Sequence, residues 1–146
     1  MLLTKIEILD LINDWLEAWD NHDLLGVMIL IDEDIVFENW TQEKIIGKNN
    51  LQNAWAPWFR HHGNFKFTKE DIFVDQQEQK VLFSWILQWP SLEKDFKGKP
   101  EVRRGVDVLH FKNGKICKKY SYSKTTIQIN SLQVALTAQL FNKYAL

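Results

Sequence analysis

The chain has 146 residues, of which 45% are hydrophobic and 25% charged, and its formal net charge is −1. That length suits one domain, 1–146, with a sizeable core, and that charge lacks the basic footprint of a nucleic-acid binder. Aromatic residues make up 13%, and the seven tryptophans among them point to a broad aromatic interior or a cavity.

Thr4 and Glu7 form a capping-box pattern ahead of an apolar-periodic segment. Ile6, Leu9, Leu16 and Trp19 keep helical spacing to about residue 20, with Trp15 beside the stripe. Asp20–Asp23 is a turn, and Asp23 can cap a short second helix, Leu24–Ile31, which Asp32–Asp34 break. Ile35–Trp40 reads as a strand with Val36, Glu38 and Trp40 on one side and Ile35, Phe37 and Asn39 on the other. Gly47–Asn50 is a loop. Asn50 caps a third helix that reaches about His62 and is closed by Gly63. Leu51, Trp55, Trp58 and Phe59 are its apolar face, and Pro57 kinks it or delays its start.

Beyond Gly63 the period is two. Phe65–Asp75 is one strand with a break near Lys69–Asp71. Lys80–Trp89 is the clearest strand, with Val81, Phe83, Trp85, Leu87 and Trp89 on one face. Pro90–Pro100 is a polar loop. The final segment, Ser131–Leu146, spaces Leu132, Leu136 and Leu140 four apart and predicts a C-terminal helix. Helices first and antiparallel strands afterwards give an α+β architecture, helices against one face of a strongly curved sheet. Such a cone encloses a hollow in which a ligand can sit. No apolar run is long enough to span a bilayer. Lys5, Glu7 and Asp10 interrupt the N-terminal segment, which lacks the apolar core of a signal peptide. The one cysteine, Cys117, excludes an internal disulfide and fits a reducing compartment, so the expected location is the cytoplasm.

The stretch Glu101–Thr126 holds two strand-like runs around Asn113-Gly114, the strongest short-range hairpin signal. A two-residue loop sets Lys112 opposite Lys115 and Phe111 opposite Ile116. A regular ladder then sets Leu109 opposite Lys118, Asp107 opposite Tyr120, Gly105 opposite Tyr122 and Arg103 opposite Lys124. Asp107 thereby lies mid-strand among Leu109, Phe111 and tyrosines, where a carboxylate is paired, protonated or in a pocket.

Several stretches carry a resemblance: Trp15-Leu-Glu-Ala-Trp-Asp-Asn-His-Asp23, Asp34-Ile-Val-Phe-Glu38, Ile46-Gly47, and Gly105-Val-Asp-Val-Leu-His-Phe-Lys-Asn-Gly-Lys-Ile116 with Tyr122 following. In these, and in the order of elements over Ile6–Thr126, the chain resembles the nuclear transport factor 2-like superfamily, in its SnoaL-like branch. The resemblance implies helices packed in the concave face of a cone-shaped, mainly antiparallel sheet, and a pocket that serves isomerases, cyclases, dehydratases, epoxide hydrolases and non-enzymatic binding modules alike. Set against the ketosteroid isomerases of the superfamily, the neutral pocket acid falls on Asp107 and the donor tyrosine on Trp15, whose indole N–H still donates. The base falls on Asn39, which takes no proton at neutral pH, and Glu38 beside it points to the other face.

The candidate catalytic residues are therefore Asp107, as general acid or base, with Tyr120 or Trp15 as donor. Asp107 also has a structural reading, bonded to Arg103, Arg104, Lys124 or a tyrosine hydroxyl. The candidate ligand-binding residues are Trp40, Trp58 and Trp89 at element ends, Phe111 and Tyr122 in the hairpin, Arg103 as an anion holder, and Glu38 as a second base. Tyr122 has a packing reading too, as a cover for Gly105. No His, Cys and carboxylate set has metal-ligand spacing, since His61 and His62 diverge by about 100° on a helix and His110 alternates away from Asp107. Neither a GxGxxG nor a phosphate loop is present, so no cofactor is expected. Three functions fit: a cofactor-independent proton-transfer enzyme of isomerase, cyclase or dehydratase type acting on a small apolar or aromatic molecule, a ligand-binding module without chemistry, or a structural homodimer with a filled pocket. A homodimer is expected to pair through the outer sheet face, with Val106, Val108, Leu82 and Ile86.

Overall fold

The computed structural model describes residues 1–61 and 63–136. Helix α1, Lys5–Asp20, starts at the expected capping box: Thr4 accepts from the Glu7 amide, and the Glu7 carboxylate reaches back to the Thr4 amide. Its buried stripe is Ile8, Ile12, Trp15, Ala18 and Trp19. Helix α2, Leu24–Met28, is capped by Asp23 as expected but is shorter than the sequence suggested. Strand β1, Ile31–Glu38, starts four residues before the expected Ile35, because Ile31 already pairs with Ile116. The acidic run Asp32–Asp34 sits in the irregular stretch between Ile31 and Val36, where the ladder register shifts. A short strand that the sequence reading did not contain, β2, Lys44–Ile46, pairs antiparallel with β1. Helix α3, Lys48–His61, runs through Pro57 and buries Leu51, Trp55 and Trp58.

Four long strands follow: β3, Lys66–Asp75; β4, Lys80–Pro90; β5, Pro100–Lys112; and β6, Lys115–Ser123. The break expected near Lys69–Asp71 is a register shift between Lys69 and Ile72. The alternation of β4 holds: Val81, Phe83, Trp85, Leu87 and Trp89 are all buried. Strands β7, Thr126–Ile129, and β8, Leu132–Ala135, complete the sheet. Its order is β2-β1-β6-β5-β4-β3, with β7 paired to β5 and β8. Among the described residues β1 and β6 run parallel and the other pairs antiparallel. The helices lie over the inward residues of this curved sheet, and one core joins Trp15, Trp19, Trp55 and Trp58 to Phe83, Trp85, Leu87 and Leu109. This is the expected cone-shaped α+β fold.

Two further expectations need correction. The segment from Ser131 was read as a helix, but Leu132–Ala135 forms a strand. Asn130 and Ser131 both take positive φ, 53° and 67°, which closes a tight hairpin and turns the chain back along β7. Residues 137–146, the rest of that expected helix, lie outside the described residues.

The second correction decides the site. Asn113 and Gly114 take φ of 51° and 77°, the primed turn expected, and Lys112–Lys115 and Phe111–Ile116 pair as predicted. Then Cys117 bulges: the register shifts between His110 and Phe111, so that His110 pairs with Lys118 and Asp107 with Ser121. Side chains in a strand alternate, so this one-residue slip exchanges the two faces of β6. Lys119 and Ser121 turn inward, while Tyr120 and Tyr122, expected to face Asp107 and Gly105, turn to the outer surface opposite Val108 and Val106.

Candidate functional site

Gly105 starts the site. A Cβ there would stand 2.1 Å from the Tyr122 carbonyl oxygen and 2.5 Å from the Trp85 ring. Its absence lets the Trp85 indole lie flat across β5, and the indole N–H then reaches Asp107 Oδ1 at 3.0 Å. The same oxygen accepts from Ser121 Oγ at 2.8 Å. The other, Oδ2, faces Lys119 Nζ at 3.3 Å, and Lys119 donates to Ser121 Oγ at 2.5 Å. Asp107, Ser121 and Lys119 thus form a closed triangle in which the hydroxyl both accepts and donates.

This triangle is cut off from water: the side chains of Lys119 and Asp107 are 5% and 8% exposed. The ammonium stands over the Phe37 ring at 4.8 Å and the Trp55 ring at 5.9 Å. Burial pushes the Lys119 pKa below that of an ordinary lysine, while the adjacent Asp107 pushes the other way. A hollow of about 20 Å³ lies against the triangle, enough for a single water. Trp15, Leu16 and Trp19 of α1 line one side, and Trp40, Phe67, Phe83 and Trp85 line the rest. Trp19 Nε1 is buried and has no hydrogen-bond partner among the described residues.

A second buried cluster lies further along the same inward row of β5. Arg103 donates to Glu93 at 2.9 Å and to Glu101 at 3.1 Å. Glu101 also accepts from the Trp89 indole and, at 2.9 Å, from Ser91 Oγ. The guanidinium carbon stands 5.2 Å from the Trp40 ring centre and 5.7 Å from that of Trp89. Burial raises the Glu93 pKa above the usual carboxylate value. Arg103 opposes that rise, and Glu101 adds to it.

A family model described as "SnoaL-like domain" matches residues 12–119 of the chain. The chain belongs to the SnoaL-like family. The family lies within the nuclear transport factor 2-like superfamily that the sequence resembles. No curated protein sequence matches it. Solved structures similar to this SnoaL-like chain include PrhC from Penicillium brasilianum, at 14% identity and a TM-score of 0.70, covering 84% of this chain and 83% of that one. An M. tuberculosis LEH-like epoxide hydrolase has 19% identity and a TM-score of 0.65, covering 82% of this chain and 84% of that one. TerC co-crystallised with polyporic acid has 12% identity and a TM-score of 0.68, covering 82% of this chain and 92% of that one. At these identities the likeness is one of fold.

Of the residues singled out from the sequence, the SnoaL-like fold brings Asp107, Trp15 and Trp40 together around the hollow. Arg103 and Trp89 meet in the second cluster, and Trp58 packs on Trp89 with ring centres 4.5 Å apart. Glu38 and Tyr122 line a separate cleft of about 150 Å³ on the outer side of Trp40. Tyr120 lies away from Asp107, edge-on to His110 at 5.7 Å on the outer face, and Phe111 is buried toward the hairpin end without lining the hollow. Arg103 is held by carboxylates and does not pair with Lys124, whose backbone bonds to Arg104. Asn39 is 3% exposed, accepts from the Trp40 amide through Oδ1, and lines the same cleft as Glu38 rather than the hollow. Sequence reasoning missed Lys119 and Ser121, and it placed Trp85 on one face of its strand without the bond to Asp107. Only the bulge at Cys117 puts Lys119 inside. Among the described residues no group of His, Cys, Asp and Glu is placed to hold a metal ion, and no helix is long and apolar enough to cross a membrane.

Proposed function

We propose that this SnoaL-like protein takes a small apolar or aromatic molecule against the Asp107–Ser121–Lys119 triangle and moves a proton on it without a cofactor, as an isomerase, cyclase or dehydratase does. The observation that carries this reading is a buried acid–base pair at the wall of an aromatic hollow. Burial pushes the Lys119 pKa down, so its proton is held less tightly than on an ordinary lysine. Lys119 is thus the donor, giving a proton to an oxygen of the bound molecule, and Asp107, which three donors surround, is the acceptor. Trp15, beside the hollow, orients the ring of the substrate. That one structural neighbour is an LEH-like epoxide hydrolase and another was co-crystallised with polyporic acid supports a small-molecule ligand. The lone free cysteine supports a cytoplasmic site of action.

The test is a panel of small aromatic ketones and phenols, followed by tryptophan fluorescence for binding and by NMR in D₂O for deuterium uptake. Uptake that Asp107→Asn abolishes while binding persists supports the enzyme. Uptake that Asp107→Asn leaves unchanged would sink the assignment of Asp107.

A second reading rests on the 20 Å³ volume. A cone so nearly filled by side chains suits a non-catalytic module or a structural homodimer. The outer sheet face offers the surface for such a dimer: Leu82, Val106 and Val108 are half-buried beside exposed Phe73 and Tyr122. Sedimentation as a stable monomer would count against the dimer. Quenching by an aromatic ligand without conversion would favour the binding module.

A further inference from the structure

The hollow beside Asp107 and the cleft on the surface share two residues, Trp40 and Ser121. The hollow measures about 20 Å³ and the cleft about 150 Å³. An organic ligand therefore has a mouth to enter but no room beyond it while Trp40 stays in place. Ser121 separates the two spaces as part of a sheet strand and is fixed. Trp40 does not belong to a strand: it sits in the turn between β1 and β2, where Gln42 takes a positive φ of 66° and the chain is held by hydrogen bonds within the turn, Gln42 amide to Asn39 oxygen and Asn39 amide to Glu43 oxygen. It is half-buried, leaning on Trp85 at 5.8 Å inside and exposed outside.

We infer that Trp40 is a gate between the surface cleft and the inner hollow, and that Arg103 is the latch that holds it closed. The inference rests on the ligand-binding reading above for its purpose, but not for its mechanics. Arg103 places its guanidinium 5.2 Å from the Trp40 ring, and the attraction of a cation for an aromatic face grows when both are desolvated. The guanidinium is in turn fixed by Glu101 from the sheet and by Glu93 from the 91–99 loop. Its own turn holds Trp40 through the backbone, whose amide donates to Asn39 Oδ1, while the ring leans on Arg103 and Trp85; loss of the charged Arg103 contact frees the ring to swing toward the cleft. Swinging it joins the cleft to the hollow and exposes the Trp85 indole and the Lys119 ammonium to an incoming molecule.

The experiment reads opening directly. Indole N–H exchange with D₂O is followed by NMR for Trp85 beside the gate and for Trp55 deep between α1 and α3, in the wild type, Trp40→Ala and Arg103→Lys. The conservative Arg103→Lys keeps the charge opposite Glu93 and Glu101 but loses the planar stack on Trp40. Both variants are expected to speed Trp85 exchange at least tenfold and to leave Trp55 exchange within twofold of the wild type. Equal acceleration of both indoles would mean general loosening and would overturn the gate, as would unchanged Trp85 exchange in both. A parallel titration with 4-fluorophenol, read by ¹⁹F line width, separates the two ideas. Faster entry in the variants supports gate and ligand site together. Faster Trp85 exchange with no 4-fluorophenol binding in any form keeps the gate and refutes the ligand site.

Discussion

Replacing Lys119 by methionine removes the ammonium and keeps most of the volume. It leaves Asp107 buried, with Trp85 and Ser121 still donating to it but with no counter-charge. Breaking a buried pair from one side costs about 3–5 kcal/mol, because the orphaned charge is the expense. Asp107→Asn alone leaves Lys119 charged or forces it to lose its proton, and it costs less since the lysine pKa is already depressed. The double variant Asp107→Asn/Lys119→Met buries no charge, and the asparagine oxygen still accepts from Trp85 and Ser121. It should therefore lie within about 1–2 kcal/mol of the wild type, well short of the sum of the two single costs. Urea unfolding gives each value from the midpoint at constant slope. The cycle also has a pH signature. A lysine whose folded pKa is depressed contributes stability that is present above its unfolded value and is lost as pH falls through the folded value. Lys119 therefore makes the wild type gain stability on the alkaline side, over the interval below about 10.4 where only the folded state has lost the proton. Asp107→Asn should widen that interval downward, and Lys119→Met should abolish it. Additive single effects would refute the claim that the two side chains form one unit.

Three further outcomes follow from the geometry. Gly105→Ala puts a methyl 2.1 Å from a carbonyl oxygen, which cannot swing aside as a side chain can, so it should cost upwards of about 3 kcal/mol and lower the Trp85 contribution to near-UV circular dichroism. Glu93 has its folded pKa raised by burial, so the stability it contributes is present below about 4.5 and declines as pH rises through the folded value; Glu93→Gln should flatten that stretch of the unfolding free energy against pH. Tyr120→Phe should change neither stability nor ligand quenching measurably, whereas Ser121→Ala should cost about 1–2 kcal/mol by leaving Asp107 Oδ1 with one donor fewer. A Tyr120 effect larger than the Ser121 effect would contradict the observed register.

Most of the architecture was written in local signals. The Thr4–Glu7 box, the Asp23 cap, the alternation of Val81 to Trp89 and the Asn113-Gly114 turn each specify backbone conformation within a few residues, and all four appear where expected. What escaped was non-local. The bulge at Cys117 has no glycine to announce it; it falls where β6 also meets β1 in parallel, with Ile31 beside Ile116 and Val36 beside Lys118. The lysines Lys118 and Lys119 stand side by side in the sequence, so nothing in composition says which one faces inward. Register alone decides it, and the regular register chooses the wrong one. The early start of β1 and the strand at Leu132–Ala135 escaped for the same reason, since both are defined by the partner they pair with.

The two buried clusters along β5 differ in charge, and that difference bears on the ligand. Around Arg103 two carboxylates face one guanidinium, so with all groups ionised the cluster carries an excess negative charge, and one Glu93 oxygen has no partner among the described residues. That cluster has reason to take up a proton and to tighten when it does. The triangle beside the hollow is already balanced, one carboxylate against one ammonium. An anionic ligand there would have to compete with Asp107 for Lys119, and a cation would meet an ammonium already in place, each inside a low-dielectric cage where an unmatched charge is costly. A neutral molecule with one accepting oxygen and an apolar or aromatic body meets neither penalty. With Trp40 swung aside as proposed, such a molecule would take a hydrogen bond from Lys119 or from the Trp19 indole N–H, which has no partner among the described residues, and would lay its ring against Trp15 and Phe83. On the proposed reading, then, the charge balance of the site selects a neutral substrate, and charge develops on it only as the proton leaves Lys119.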